Sequence, residues 1–261
     1  MNASNYCAEF IEDKKHSQDA KLVTNFLKKA VKFQLPEGGL LIDVGKPDKD
    51  GYYRNDEIFP SYLSILKLPY DDVVLEYCNF RTKVLICALN HSDGDICYEV
   101  RVKPMDNNKG NHWYRMPIMG VVSSKDFLVR IKPRPSVNGD MARLTQDDTE
   151  LFGRFGYVLL SFLAALECSN TLTIDRPASN LLNKKRIKKG KQPFFSYKVL
   201  TIDTKRDSRQ VKGGHGTGGT KRVHLRRGHI RRLADKTVWV NPCVVGNKSK
   251  GMVTKDYRVI I

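Results

Sequence analysis

A chain of 261 residues, 41% hydrophobic and 28% charged, carries enough apolar material for one large domain or two modest ones. That balance excludes a disordered, collagen-like or disulfide-miniprotein chain. The longest apolar run, Tyr157–Leu166, is interrupted by Ser161 and falls short of the roughly 18–20 residues of a membrane span; residues 1–16 lack a secretory pattern, so a cytoplasmic protein is expected.

Ser17 can cap a helix running to about Phe33, with Ala20, Val23, Leu27, Ala30 and Val31 on one face. Residues 34–39 (QLPEGG) end it, and Leu40–Val44 reads as a first strand. Phe59–Leu68 is predicted as a short helix stopped by Pro69. Val73–Tyr77, Lys83–Leu89, Ile96–Val102 and the stretch Met116–Ile131 are rich in β-branched and aromatic residues. With turns at His91–Gly94 and Asn107–Gly110, they predict an antiparallel sheet. Pro133, Pro135 and Asn138-Gly139 break the pattern. Thr145 with Asp147 and Asp148 then starts a helix to about Cys168, because acids suit the positive end of a helix dipole. It is apolar nearly all round over Phe155–Leu166 and should be buried.

Beyond it, Asn180–Lys191 reads as a basic connector, Tyr197–Ile202 as a strand and Asp203–Lys221 as a Gly-rich loop. Val223–Ile230, Thr237–Val245 and Tyr257–Ile261 make a second, smaller β set. The expected fold class is α+β: an antiparallel sheet with a buried central helix, and a smaller C-terminal β set carrying a basic segment. A soft division near residue 140 separates residues 1–140 from residues 141–261.

The six cysteines form no C-x-x-C pair and sit mostly in apolar stretches, which predicts reduced, buried thiols and no metal site or other cofactor. The charge is more informative. Of the net +17, Lys184–Arg232 carries +15, with 17 basic residues and only Asp203 and Asp207 against them; the other 212 residues are nearly neutral. Like charges so concentrated destabilise a compact state, and a polyanion supplies a reason for them through counterion release. Pro193 and seven glycines interrupt the segment, which removes the amphipathic helix a membrane surface would want.

Four constellations stand out. In Lys221-Arg222-Val223-His224-Leu225-Arg226-Arg227-Gly228-His229-Ile230-Arg231-Arg232, two imidazoles lie among guanidinium groups. Metal-independent RNA cleavage needs a base, an acid and cations for the developing phosphorane charge, so His224 and His229 are candidate catalytic residues. An uninterrupted strand places them on opposite faces, and a bulge at Gly228 would realign them. The plainer alternative is phosphate binding alone by Lys221, Arg222, Arg226, Arg227, Arg231 and Arg232. Gly213–Lys221 invites comparison with a phosphate loop, but Arg222 stands where G-x-x-x-x-G-K-[ST] needs Ser or Thr, and a linker is the better reading. Lys184, Lys185, Arg186, Lys188, Lys189 and Lys191, followed by Phe194 and Phe195, suit a groove that tracks phosphates and stacks an unpaired base; the two rings are equally suited to anchoring the next strand. Trp239 offers a further stacking surface or simply packs, while Val238 and Val240 alternate toward a core.

Leu68-Pro69-Tyr70, Val73–Tyr77, Asn183–Gln192 and above all H-L-R-R-G-H-I-R-R-L (His224–Leu233) resemble a family carried by phages and plasmids. Its H-x-R-R-G-H motif also occurs near the C-terminus of a type V-A anti-CRISPR protein that lowers the mRNA of the CRISPR nuclease during translation. The resemblance implies a mobile-element protein acting on mRNA or translation in the host cytoplasm. Residues 1–140 would recognise a target, such as a host defence protein or nascent peptide, and residues 180–233 would hold mRNA or ribosome-associated RNA. A metal-independent endoribonuclease and a DNA-binding regulator are the alternatives, the latter disfavoured because no continuous basic recognition helix is visible.

Overall fold

The computed structural model describes residues 5–13, 18–39, 63, 66–105, 112–134, 145–202, 222–226, 229–240, 243–245 and 247–252. Strands β1 (Val31–Gln34), β2 (Asp72–Asn79), β3 (Thr82–Asn90), β4 (Ile96–Pro104), β5 (Tyr114–Arg115), β6 (Ile118–Val122), β7 (Val129–Pro133), β8 (Thr171–Arg176) and β9 (Tyr197–Ile202) form one sheet in the order β7-β6-β4-β3-β2-β1-β9-β8, with β5 also on β4. Neighbours are antiparallel except around β1, which runs parallel to both β2 and β9. Parallel neighbours need long crossovers, and the chain supplies them on both sides of β1. The sheet is therefore mixed within an α+β fold, and it runs across residue 140, the division expected from composition.

Strands β2 and β3 are apolar on both faces because both faces are covered. Val73, Leu75, Tyr77, Val84, Ile86 and Tyr98 join helix α3 (Gln146–Leu166) in the larger apolar cluster, where Val158, Leu159, Phe162 and Leu163 of α3 are all buried. Val74, Leu85 and Cys87 face the other way, onto helices α1 (Tyr6–Asp13) and α2 (Gln18–Lys29), with Tyr6, Phe10, Leu27 and Trp113 in a second cluster.

Two expectations are corrected here. The helix expected to run to about Phe33 is α2 and stops at Lys29, with Lys28 and Lys29 in its last turn as the dipole favours, and Val31–Gln34 becomes a strand. Phe33 decides this: its buried ring meets Phe162 edge-on at 4.7 Å, a contact made from the sheet. Leu63, Leu66 and Leu68, expected on a short helix, are buried in the larger cluster, and residues 66–68 carry no helical turn; the rest of that expected helix, residues 59–62, 64 and 65, lies outside the described residues. The strands expected at Leu40–Val44 and Tyr257–Ile261, and the loop at Asp203–Lys221, lie outside the described residues. Among the described residues, no helix is long and apolar enough to cross a membrane and no group of His, Cys, Asp and Glu is arranged to hold a metal ion.

One buried acid organises the α1 face. Glu76 is 3% exposed and accepts hydrogen bonds from the backbone N–H groups of Tyr6 and Cys7, the first turn of α1, both at 3.1 Å. Burial pushes its carboxyl above the ordinary range, against the opposing pull of those donors and of Lys32. A raised folded-state value means that this group's proton-linked stability is fully present below the ordinary glutamate value of about 4.3. It is lost as pH rises through the raised value. The melting temperature of wild type relative to the non-titrating Glu76→Gln should accordingly rise as pH falls from 7 to 4. A relative melting temperature that falls over the same range would show that the ionised carboxylate is the stabilising form.

Candidate nucleic-acid interface

The basic run 180–188 is a helix, α4 (Asn180–Lys188), rather than a connector. Ser179 caps it, its hydroxyl accepting from the Leu182 N–H at 3.4 Å. Gly190, at φ 63°, ends it in the left-handed conformation, and the Lys191 N–H returns to the Arg186 carbonyl at 3.0 Å. No apolar period announced this helix, because none of its residues is buried. Leu181 is 74% exposed and Ile187 60%.

Two side chains fasten α4 to the body. Asn183 exchanges two hydrogen bonds with the Phe194 backbone, at 2.8 and 2.9 Å. Arg186 donates from Nε to the Gln192 carbonyl at 2.8 Å, pairs with Glu12 at the end of α1, and lays its guanidinium 4.0 Å from the centre of the Phe194 ring. Arg186, grouped by sequence with the phosphate-binding lysines, is thus the anchor of the helix. Lys184, Lys185, Lys188, Lys189 and Lys191 are exposed, and among the described residues none has an acidic partner. Lys198 differs, being paired with Asp175 at 2.6 Å.

The stacking candidates are occupied within the protein. Phe195 packs against the second cluster with the Lys32 ammonium 4.4 Å from its ring centre, and its carbonyl accepts from Asn5 Nδ2 at 2.7 Å. Phe194 is half-buried beneath Arg186. Trp239 is half-buried against the larger cluster, its backbone N–H and carbonyl both bonded to the Asn170 side chain at 2.8 Å. The anchoring alternative describes all three better than base stacking.

The expected strand 223–230 is two strands. In β10 (Arg222–Arg226), His224 pairs with Val245 of β13 (Cys243–Val245), and β10 also pairs with β14 (Asn247–Met252). In β11 (His229–Arg232), His229 pairs with Val240 of β12 (Thr237–Val240) in a separate two-stranded sheet. The two imidazole-bearing residues therefore belong to different ladders. Lys221 and Arg227 lie outside the described residues, and only the backbone course is described for Arg222, His224, Arg226 and His229. Arg231 and Arg232 are exposed on β11, while Ile230 and Val238 are buried beside them.

The β11–β12 hairpin meets the foot of β8, where the Ser169 N–H donates to the Thr237 carbonyl at 2.9 Å. Strand β8 then runs to the start of α4, about 20 Å at 3.3–3.4 Å per residue. Arg176 is exposed at its far end, and no charge count begun at Lys184 singles it out. The exposed cations thus lie at the two ends of β8, lysines at one and Arg231 and Arg232 at the other. No protein-family model matches the chain, and no curated protein or solved structure matches it either.

Proposed function

We propose that this is an RNA-binding counter-defence or regulatory protein of a phage or mobile element, acting on mRNA or translation in the host cytoplasm. In this reading α4, β8 and the basic C-terminal β region hold RNA, and residues 1–140 engage the protein or peptide target. The family resemblance of His224–Leu233 supports the biological setting. The observation that carries RNA binding is α4. Strands β8 and β9 are adjacent and antiparallel, so a two-residue turn would join them; the chain spends residues 177–196 instead. A nine-residue helix with no buried face is not stable alone and adds nothing to a core. It is nevertheless capped, tethered by Arg186 and Asn183, and loaded with lysines that no described acid pairs. A polyanion gives that construction a use.

Cleavage is the second reading, favoured by the co-occurrence of His224 and His229 with arginines on strands consecutive in the chain, β10 and β11. RNA incubated with purified protein in EDTA decides between them. Binding without cleavage is the expected outcome, with His224→Ala and His229→Ala leaving affinity within about threefold, since a neutral imidazole contributes little to counterion release. Cleavage that survives EDTA, leaves 2′,3′-cyclic phosphate ends and disappears in folded His224→Ala or His229→Ala protein would replace the adaptor reading with a nuclease.

A further inference from the structure

On the α2 face of the sheet, away from α4, a recess of about 240 Å³ opens between α2 and strands β3, β4 and β6. Its floor is charged. Alternation along β4 turns Val100 toward the larger cluster and Glu99 and Arg101 toward the recess, which Tyr98 also lines. Arg101, only 3% exposed, holds Glu99 at 3.0 Å, and Arg134 reaches the other oxygen of the same carboxylate. Arg115 also approaches Glu99, at 3.5 Å, and has a further interaction of its own. Among the described residues, Arg101 and Arg134 already set two cations against one carboxylate. The neighbouring acids do not alter this: Asp93 is bound by His91, and Asp95 accepts from the Ser124 N–H and hydroxyl.

The walls are apolar. Leu22 and Phe26 of α2 face Leu89 and Met119 across the opening. Leu22 is 76% exposed and Leu89 39%. These four side chains offer none of the polar groups that would read a sugar or a base edge. An excess of positive charge among the described groups of a partly desolvated floor, under apolar walls, matches an anionic head carrying an apolar body. We propose that this recess binds a small organic monoanion, its carboxylate on Arg134 and Arg101 and its hydrocarbon body between Leu22, Phe26, Leu89 and Met119. The volume, equivalent to about eight waters at roughly 30 Å³ each, accommodates a short acyl carboxylate.

Calorimetric titration of the full chain with butanoate, hexanoate, octanoate and 1-octanol tests this. Each added methylene should tighten carboxylate binding about fourfold until the recess is full. 1-Octanol should bind at least about tenfold more weakly than octanoate. Arg134→Ala, at a half-exposed position, should weaken octanoate by about tenfold and leave 1-octanol unchanged. Leu22→Asp, at an exposed position, should weaken both. Equal affinity for acid and alcohol, or octanoate binding indifferent to both substitutions, overturns the proposal; the latter result would place the anion on lysines elsewhere.

Discussion

Replacing Gly120 by alanine is expected to cost at least about 3 kcal/mol of stability, the upper range for overpacking a core. The melting temperature should fall by roughly 6–12 °C. Gly120 of β6 lies directly opposite Tyr98 of β4, and the tyrosine ring lies across the glycine. A Cβ there would sit 1.9 Å from Tyr98 Cζ and 2.4 Å from its hydroxyl oxygen. The ring has nowhere to go: Tyr98 is 1% exposed, and its hydroxyl passes beneath α3 to the Phe152 carbonyl at 3.4 Å. The helix is close there because residue 156 is also glycine; a Cβ at that position would lie 2.8 Å from the same hydroxyl and 2.4 Å from Val129 Cγ1. One tyrosine thus keys the sheet to the helix through two glycines on different elements. Thermal melts of Gly120→Ala, Tyr98→Leu and the double variant give the coupling directly. The double variant should be more stable than Gly120→Ala alone, because shortening Tyr98 removes the clash. A Gly120→Ala protein that melts within about 2 °C of wild type would mean that the ring moves aside freely.

That key was not legible in the sequence. Gly120 and Gly156 look like isolated glycines, and their shared partner Tyr98 is distant along the chain. What the sequence carries well is local: β2, β3, β4 and β9 fall where β-branched and aromatic content puts them, and α3 falls where a long apolar run does. The failures have a common cause. Val31–Gln34 follows a helix without a break, and only pairing with β2 and β9 makes it a strand. Helix α4 has no buried face, so a search for apolar periodicity passes over it. The candidate interface divides in the same way. Charge density alone picked out the lysines, whereas the internal roles of Arg186 and Phe195 depend on Glu12, Asn5 and Lys32, nearly the whole chain away.

The lysines permit the sharpest test of the RNA reading, because removing them should leave the fold untouched. Lys184, Lys185, Lys188 and Lys189 are exposed, and no described acid pairs with them. The quadruple alanine variant should therefore melt within about 0.5 kcal/mol of wild type, as surface changes do, and alanine favours the helix. Its RNA affinity should change far more. Each phosphate contact on a single strand adds about 0.7 to the slope of log affinity against log salt, so losing four contacts flattens it by about 2–3. Extrapolated to 0.15 M salt, the lost counterion release weakens binding on the order of 100-fold. Arg186→Ala makes the informative contrast. It removes one charge, the pairing with Glu12 and the cover over Phe194, so it should loosen α4 and weaken RNA binding while changing the salt slope by about one contact at most. A melt-neutral, slope-neutral quadruple variant would take α4 out of the interface and leave Arg231, Arg232 and their neighbours to account for any binding. Loss of slope in the quadruple variant, with the slope kept in Arg186→Ala, would separate the residues that hold phosphate from the residue that holds the helix.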